Sequence, residues 1–282
     1  MRILSDTAYF LLYRVARYRR RVVRKNLAAC FPEMSEKERR EVERRFYRNF
    51  ADSLFETLKV NRVSDEWMKG HMEFDNVELI DRYLAEGRSV AVYFAHTFNW
   101  EWAPSVTLHT SIPAGQNVEF GQVYRPLKSK YFDNLMLKLR SRFYAVSYPK
   151  ASTLRCLLKA HKRGLMTVTG FMSDQHPSHG DPGHRTTLLG QPTLMITGTE
   201  TVARKFKMAA VYWDMEKIAR GHYKITVRPL ADNVADTPTG EVTERYTRLL
   251  EQTIRRDPAI WLWSHNRWKH PVTPANNEST NK

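Results

Sequence analysis

A histidine and a glutamate stand five positions apart in the stretch YFAHTFNWEW, residues 93–102. His96 directly follows SVAVYFA (89–95), a continuous apolar run that is typical of a buried central strand. Ligand sites in open α/β sheets gather at the carboxyl ends of such strands. A carboxylate on one imidazole nitrogen fixes the tautomer and makes the other nitrogen a better base. His96 and Glu101 therefore suit the removal of a proton from a hydroxyl.

The two side chains meet only if they do not share one helix. On a common helix they would lie about 140° apart, because each residue turns the helix by about 100°. If His96 lies in a turn and a helix begins near Asn99, Glu101 falls in its first turn and reaches back to the imidazole. The alternative is a histidine at a strand end, with Glu101 placed favourably for the helix dipole. Spacing alone favours that alternative.

Two more polar residues follow predicted strands. Arg125 offers a planar fork of donors that suits a phosphate, although an arginine before a proline also pairs with surface carboxylates. Asp174, beside Gln175, follows LMTVTGFM (165–172), and its alternative role is an Asx-type turn.

The stretch DQHPSHGDPGHR, residues 174–185, carries several side chains of the kinds that bind zinc: His176, His179, Asp181 and His184. It is rich in proline and glycine and lacks the helical spacing that presents two histidines together. We predict a mobile, substrate-facing loop with no metal.

Alternating strands and helices must position these residues. Strands are predicted at 71–75, 89–95, 118–124, 165–171, 208–214 and 223–229, and helices near 35–58, 76–86, 99–109, 127–142, 151–163, 197–206 and 239–256. Ser35 and Glu38 have the spacing of a capping box at the start of the first of these helices. The pattern predicts an α/β fold whose sheet is flanked by helices. The polar end, residues 271–282, is predicted to be disordered.

The composition limits the kinds of molecule that the chain is expected to bind. A chain of 282 residues, 42% hydrophobic, supports one sizeable core, and 45 basic minus 30 acidic residues gives a net charge of +15. That charge suits nucleic acid, an anionic membrane or an acidic protein. Cys30 and Cys156 form neither a metal spacing nor a disulfide framework, which favours a reducing compartment.

The N-terminal residues 1–30 predict a basic amphipathic helix. Apolar residues at helical spacing (Leu4, Ala8, Leu11, Leu12, Val15 and Tyr18) precede a cluster of arginines. The apolar run is too short to span a bilayer, and the segment lacks a signal-peptide cleavage site. We expect a helix in the headgroup plane of an anionic membrane, the alternative being a helix packed on its own domain.

Four motifs occur in a recognisable order: HTFNWE (96–101), VYRP (123–126), SDQ (173–175) and WLWSHNRWK (261–269). On these motifs the chain resembles the bacterial lysophospholipid and lipid A acyltransferase family, and in particular its late lipid A biosynthesis acyltransferases. The resemblance extends from the N-terminal helix to Lys269. It implies a single-domain glycerolipid-acyltransferase-like sheet over residues 31–270.

The resemblance also implies roles for individual residues. His96 and Glu101 match the catalytic histidine and acidic residue of the family. Tyr124 and Arg125 match a tyrosine-arginine-proline block, in which the arginine holds a phosphate or acyl-donor group. Asp174, with Gln175, would line the substrate site. The closing pattern is met by Trp263, His265, Arg267 and Lys269.

Two departures qualify the resemblance. Asn266 stands where many members carry an arginine, which indicates a subfamily variant. Relatives commonly begin with a longer hydrophobic segment, so we expect peripheral attachment, with an N-terminal anchor as the alternative.

The predicted function is transfer of a fatty acyl chain from acyl carrier protein to a hydroxyl of a lipid A precursor. The reaction needs no cofactor, and we expect it at the cytoplasmic face of the inner membrane. The alternatives are another lipid acceptor (an aminolipid, glycolipid or lysophospholipid), a coenzyme A donor, or a non-catalytic basic protein of the membrane surface. Nucleic acid is not an expected partner, because the aromatics form no stacking motif.

Overall fold

The structure, a computed structural model, describes residues 2–115, 117–178, 180–269 and 272. Its α-helices within these ranges are α1 (Arg2–Phe10), α2 (Arg20–Cys30), α3 (Glu36–Lys59), α4 (Asp65–Lys69), α5 (Glu78–Ala85), α6 (Lys130–Arg140), α7 (Thr153–Lys162), α8 (Gly198–Lys205) and α9 (Glu241–Arg256). The strands are β1 (Met72–Asp75), β2 (Val90–Phe94), β3 (Val118–Tyr124), β4 (Val146–Pro149), β5 (Met166–Met172), β6 (His184–Leu188), β7 (Gln191–Met195), β8 (Ala209–Ala219) and β9 (His222–Ala231). The predicted tail, 271–282, lies outside the described residues except for residue 272.

Seven strands form one sheet in the order β1-β9-β8-β2-β5-β3-β4, and β6 and β7 form a separate hairpin. Strands β2, β3, β4, β5 and β8 run parallel, while β9 is antiparallel to β8, and β1 runs with β9. The predicted fold, a mostly parallel sheet flanked by helices, is confirmed. All six predicted strands are present; β4, β6 and β7 were missed.

The central strand is β2, whose five residues are all buried. Its alternating side chains pack on both faces of the sheet: Tyr93 packs against Tyr246 of α9, and Phe94 lies beside Trp213 of β8. Burial on both faces explains why this strand reads as a continuous apolar run. Its carboxyl end, where His96 follows, lies in the middle of the sheet edge.

The predicted helix at 99–109 is a 3-10 helix, Trp100–Leu108. Asn99 caps it, because its side chain accepts a hydrogen bond from the amide of Glu101. Pro104 lies inside it and has no N–H to donate, which disfavours a regular α-helix there. By contrast, α3 begins as predicted, with the reciprocal capping box between Ser35 and Glu38.

The N-terminal segment is two helices rather than one. After α1, a π-helical turn (Leu11–Val15) leads to Arg17 and Arg19, both with positive φ, and α2 then starts in a new direction. The buried face of α2, which includes Val23 and Leu27, belongs to the core. The stretch from α1 through the π-helical turn instead points Ser5 and Tyr13 toward the protein and leaves five large apolar residues exposed: Ile3, Leu4, Phe10, Leu11 and Val15.

No helix in the described part of the chain is long and apolar enough to cross a bilayer.

Candidate functional site

His96 meets a carboxylate at the carboxyl edge of the sheet, and that carboxylate belongs to Asp174. β2 and β5 are parallel neighbours, so the residues after their ends come together. The Asp174 Oδ1 lies 2.7 Å from the Nδ1 of His96, and the Oδ2 accepts the backbone N–H of His96 at 3.1 Å. With Nδ1 as the donor, the Nε2 of His96 carries the lone pair.

Asp174 is 2% exposed, yet its surroundings favour the charged form. Burial alone raises the pKa of this carboxyl, but the charge and hydrogen bonds of His96, with the Trp261 indole N–H at 2.8 Å, bring the pKa down to about 2. Asp174 therefore remains a carboxylate at neutral pH.

Glu101 faces a different partner from the one that the sequence predicts. The guanidinium of Arg140, at the end of α6, donates to its two oxygens at 2.8 and 2.7 Å, and the indole of Trp100 donates to one of them at 3.1 Å. The 3-10 helix points the Glu101 side chain toward α6 and away from His96. The imidazole nitrogen that we predicted would bind Glu101 is bound by Asp174 instead. The catalytic role of Glu101 stays a prediction.

Trp100 connects these two groups. Its ring packs edge-on against the imidazole of His96 with centroids 5.2 Å apart, while its indole nitrogen holds Glu101. The pair of Glu101 and Arg140 is 10% and 17% exposed in its side chains. Burial lowers the pKa of Arg140, but the Glu101 carboxylate more than compensates and raises it overall. Trp100 thus contacts both the imidazole and a stable charged pair.

The other predicted site residues, Gln175, Tyr124 and Arg125, differ in how close they lie to His96. The Gln175 side-chain nitrogen is 3.2 Å from the Nε2 of His96, so this amide faces the open nitrogen. Tyr124 is half-buried at the end of β3, and Arg125 is exposed beyond it. β3 is separated from β2 by β5, so both residues share the site's edge of the sheet without contacting His96.

The closing segment, residues 261–269, covers the His96 and Asp174 pair. Trp261 forms a bridge with Thr97, and the backbone N–H of Leu262 donates to the carbonyl of His96 at 3.0 Å. The reasoning from spacing missed Trp261 as a partner of Asp174. The only signal in the sequence was the motif WLWSHNRWK, which placed the segment at the site without giving a contact.

This segment also brings a buried arginine and a half-buried histidine to the site. Arg267 is 1% exposed, and its guanidinium donates to the carbonyl of Leu194 at 2.9 Å. Burial lowers the pKa of Arg267 to about 10, so it stays charged at neutral pH, and burial also lowers the pKa of His265. Asp174 is close enough to interact electrostatically with both.

The N-terminal segment holds the closing segment in place. The Asn26 amide donates to the carbonyls of Trp263 and His265 at 3.0 and 2.9 Å, and Arg19 donates to the carbonyl of Ser264 at 3.0 Å. The site is therefore assembled from both ends of the described chain.

The histidine-rich stretch makes separate contacts. His184, at the start of β6, lies 2.9 Å from a carboxylate oxygen of Glu244, and Asp181 accepts from the amide of Gly183 and the hydroxyl of Thr197. His179 is outside the described residues. The described members thus point to different neighbours.

An apolar pocket lies on the sheet face that the 3-10 helix covers. Its lining includes Phe94, Ala103, Val106, Phe120, Val168 and Trp213. Two glycines, Gly121 and Gly170, also border it on β3 and β5. Phe94 precedes His96 by two residues, so a base and an apolar pocket share the end of β2.

Comparisons with known proteins identify the family of the chain. The family model described as bacterial lipid A biosynthesis acyltransferase matches residues 1–270. The chain is 20% identical to a lipid A biosynthesis acyltransferase of Haemophilus influenzae over 239 residues, 84% of this chain and 72% of the relative. It is 22% identical to the lipid A biosynthesis palmitoleoyltransferase of Escherichia coli and to a lipid A biosynthesis acyltransferase of Shigella flexneri, each over 252 residues, 89% of this chain and 79% of the relative.

Proposed function

Because the chain belongs to the bacterial lipid A biosynthesis acyltransferase family, we propose that it transfers a fatty acyl chain from acyl carrier protein to a hydroxyl of a lipid A precursor. The observation that carries the proposal is the pair of His96 and Asp174. It leaves one imidazole nitrogen available as a base at the carboxyl edge of the sheet.

His96 acts as the general base in this mechanism. Asp174 holds the proton of Nδ1, so Nε2 accepts the proton of the acceptor hydroxyl as the oxygen attacks the thioester carbonyl. The C–O bond forms, and the tetrahedral intermediate collapses with cleavage of the C–S bond. The imidazolium returns the proton to the leaving thiolate, which regenerates the base. Gln175, at 3.2 Å from Nε2, yields this position to the acceptor hydroxyl.

Glu101 has a positioning role in this scheme. It fixes the guanidinium of Arg140 with two hydrogen bonds and the indole of Trp100 with a third. Trp100 in turn packs against His96 and limits the orientation of the imidazole. The apolar pocket that begins at Phe94 marks where the acyl chain enters, since apolar side chains form most of its lining and it borders the strand that carries His96.

The surface charge suits both substrates. The net charge of +15 favours an acidic carrier protein as the donor and a phosphorylated lipid as the acceptor. The exposed apolar side of α1, with Arg2 and Arg14 beside it, suits an anionic bilayer, which fits peripheral attachment at the cytoplasmic face of the inner membrane.

Mass spectrometry of lipid A tests the proposal in cells that lack this gene and are rescued with wild type or His96→Ala. We expect the deletion to remove one acyl chain that only the wild type restores. Unchanged lipid A would reject the lipid A acceptor, and the total lipid extract would then show whether an aminolipid, a glycolipid or a phospholipid has lost a chain.

A second assay identifies the donor. The purified protein receives carrier-protein and coenzyme A thioesters of the same acyl chain, with His96→Ala as the blank. Faster turnover of the carrier-protein thioester is the expected result, and equal or faster turnover of the coenzyme A thioester would reject the carrier as the preferred donor.

A further inference from the structure

Eight consecutive residues after β3 are all exposed. This segment, residues 125–132, is called here the α6 tip, because it leads into α6 and includes its first turn. Three of its side chains are large and apolar: Leu127 is 47% exposed, Tyr131 74% and Phe132 58%. Water contact at three neighbouring apolar side chains is unfavourable, so the tip is suited to a partner that covers them.

The same segment carries uncompensated positive charge. Arg125, Lys128 and Lys130 make no ion pair or side-chain hydrogen bond within the part of the chain that the structure describes. The one acidic residue between positions 125 and 140 is Asp133. Its carboxylate accepts the backbone N–H of Leu127 at 2.8 Å, which holds the tip in a compact turn. Aromatic side chains among unpaired cations are suited to an anionic interface.

The tip lies at the edge of the sheet that carries His96. In the sheet register Gln122 of β3 pairs with Gly170 of β5, and Met172 of β5 pairs with Phe94 of β2. Tyr124 is therefore level with Phe94, and the α6 tip continues outward from there. One strand, β5, separates the tip's strand from the strand of His96.

A second apolar surface lies on the other side of His96. We call it the α1 patch, formed by Ile3, Leu4, Phe10, Leu11 and Val15, all exposed. α1 is tied to the β8–β9 turn, since the guanidinium of Arg220 donates to Asp6 at 2.7 Å. β8 is the neighbour of β2 opposite to β5, and its pairing with β2 ends near Tyr212 while β8 itself continues to Ala219. The turn therefore projects from the same sheet edge.

We propose that the α6 tip inserts into the headgroup region of an anionic bilayer, as a second contact beside the α1 patch. With one contact on each side of His96, the carboxyl edge of the sheet faces the membrane, and a lipid acceptor reaches the imidazole without leaving the interface. Arg125, Lys128 and Lys130 lie among the lipid phosphates, while Tyr131 and Phe132 lie at headgroup depth. The proposal rests on the proposed function only in taking the acceptor to be a lipid.

A bilayer fits these observations better than a small acidic protein. The two apolar surfaces flank the site at one sheet edge, and one broad anionic surface covers both together. Unpaired cations alone would suit either partner, whereas two highly exposed aromatic rings side by side suit the amphipathic zone of a membrane.

Vesicle co-sedimentation of the full chain tests the proposal with vesicles of phosphatidylcholine containing phosphatidylglycerol, and with phosphatidylcholine alone. The test variant is Tyr131→Asn/Phe132→Asn, and a charge variant is Lys128→Gln/Lys130→Gln. The matched control is Tyr144→Asn. Tyr144 is 71% exposed, but it precedes β4 and so lies at the amino ends of the strands, away from the carboxyl edge that carries His96. Thermal unfolding checks that each variant is folded.

We expect the aromatic variant to lose at least about tenfold in affinity for anionic vesicles, and the charge variant about fivefold for each lysine on anionic vesicles alone. Tyr144→Asn should bind as the wild type does. Unchanged binding of the aromatic variant, or an equal loss in Tyr144→Asn, would overturn the proposal. These vesicles contain neither acceptor nor thioester, so the result does not depend on whether the proposed chemistry is correct.

A kinetic measurement then covers the acidic-protein alternative. If the aromatic variant binds vesicles normally but has a raised KM for the carrier-protein thioester and an unchanged KM for the coenzyme A thioester, the α6 tip binds a protein and the membrane proposal is rejected.

Discussion

Two carboxylates close to His96 lie in different surroundings. Asp174 is at the end of β5, where it meets the imidazole, the backbone of His96 and the Trp261 indole. Glu101 is in the 3-10 helix after β2, where it meets Arg140 and Trp100. The carboxylate five residues after His96 thus pairs with an arginine, and the one 78 residues after His96 binds the histidine. Which residues meet at the edge of a sheet depends on the order of the strands, so a short separation in sequence does not ensure contact.

The largest expected effect is that of Asp174→Asn. An amide presents N–H to the Nδ1 of His96 and so favours the tautomer whose Nε2 is protonated, which no longer accepts the hydroxyl proton. We expect kcat for acyl transfer to fall by about 10³-fold. Steady-state assays with the acyl thioester measure it.

The matched control is Asp214→Asn. Asp214 is equally buried but pairs with Arg228 and Arg256, away from His96. This variant should lose stability and keep kcat within a few-fold. A similar loss of kcat in both variants would show that the effect of Asp174→Asn is structural.

Six strands were predictable because most of them contain a short run of β-forming residues bounded by polar turns, and β2 is apolar on both faces. The pairing of His96 with Asp174 was not predictable from spacing, because it depends on β5 crossing over to lie beside β2. Strand β6, HRTTL, was missed because it is mostly polar and only half-buried. The motifs placed Asp174 and the closing segment at the site, but only the fold gives their hydrogen bonds.

Lowering the pH should remove the contribution that the ionised Asp174 makes to the free energy of unfolding. Its folded pKa is lowered, so the stabilisation is fully present above the unfolded pKa near 3.8 and is lost as the pH falls toward about 2. The contribution amounts to about 2 kcal/mol. Urea unfolding of the wild type and Asp174→Asn from pH 5 to pH 2.5 measures it. The difference in free energy of unfolding should shrink as the pH falls, and a difference that grows would contradict the lowered pKa.

Glu101→Gln should cost less activity than Asp174→Asn. It removes the charge that holds Arg140 but leaves the imidazole on Asp174, so we expect kcat to fall by about tenfold and the free energy of unfolding by about 1–3 kcal/mol. A cycle with Arg140→Gln and the double variant isolates the pair, and the double variant should lose little more than either single variant. If Glu101→Gln costs as much activity as Asp174→Asn, Glu101 acts directly in the reaction and the positioning role is wrong.

Trp261→Phe should have the smallest effect of this set, because it removes one of the hydrogen bonds to Asp174 and keeps an aromatic ring in the closing segment. The Oδ2 of Asp174 retains only the backbone N–H of His96, so the carboxylate is held less firmly and its pKa rises. We expect a loss of a few-fold in kcat and of about 1.5 kcal/mol in stability, the lower limit for a hydrogen bond to a charged group. Trp263→Phe is the matched control, since the Trp263 indole donates to the carbonyl of Pro258 instead. That variant should lose similar stability without the loss of kcat; equal kinetic losses would mean that both tryptophans act only by packing the closing segment over the site.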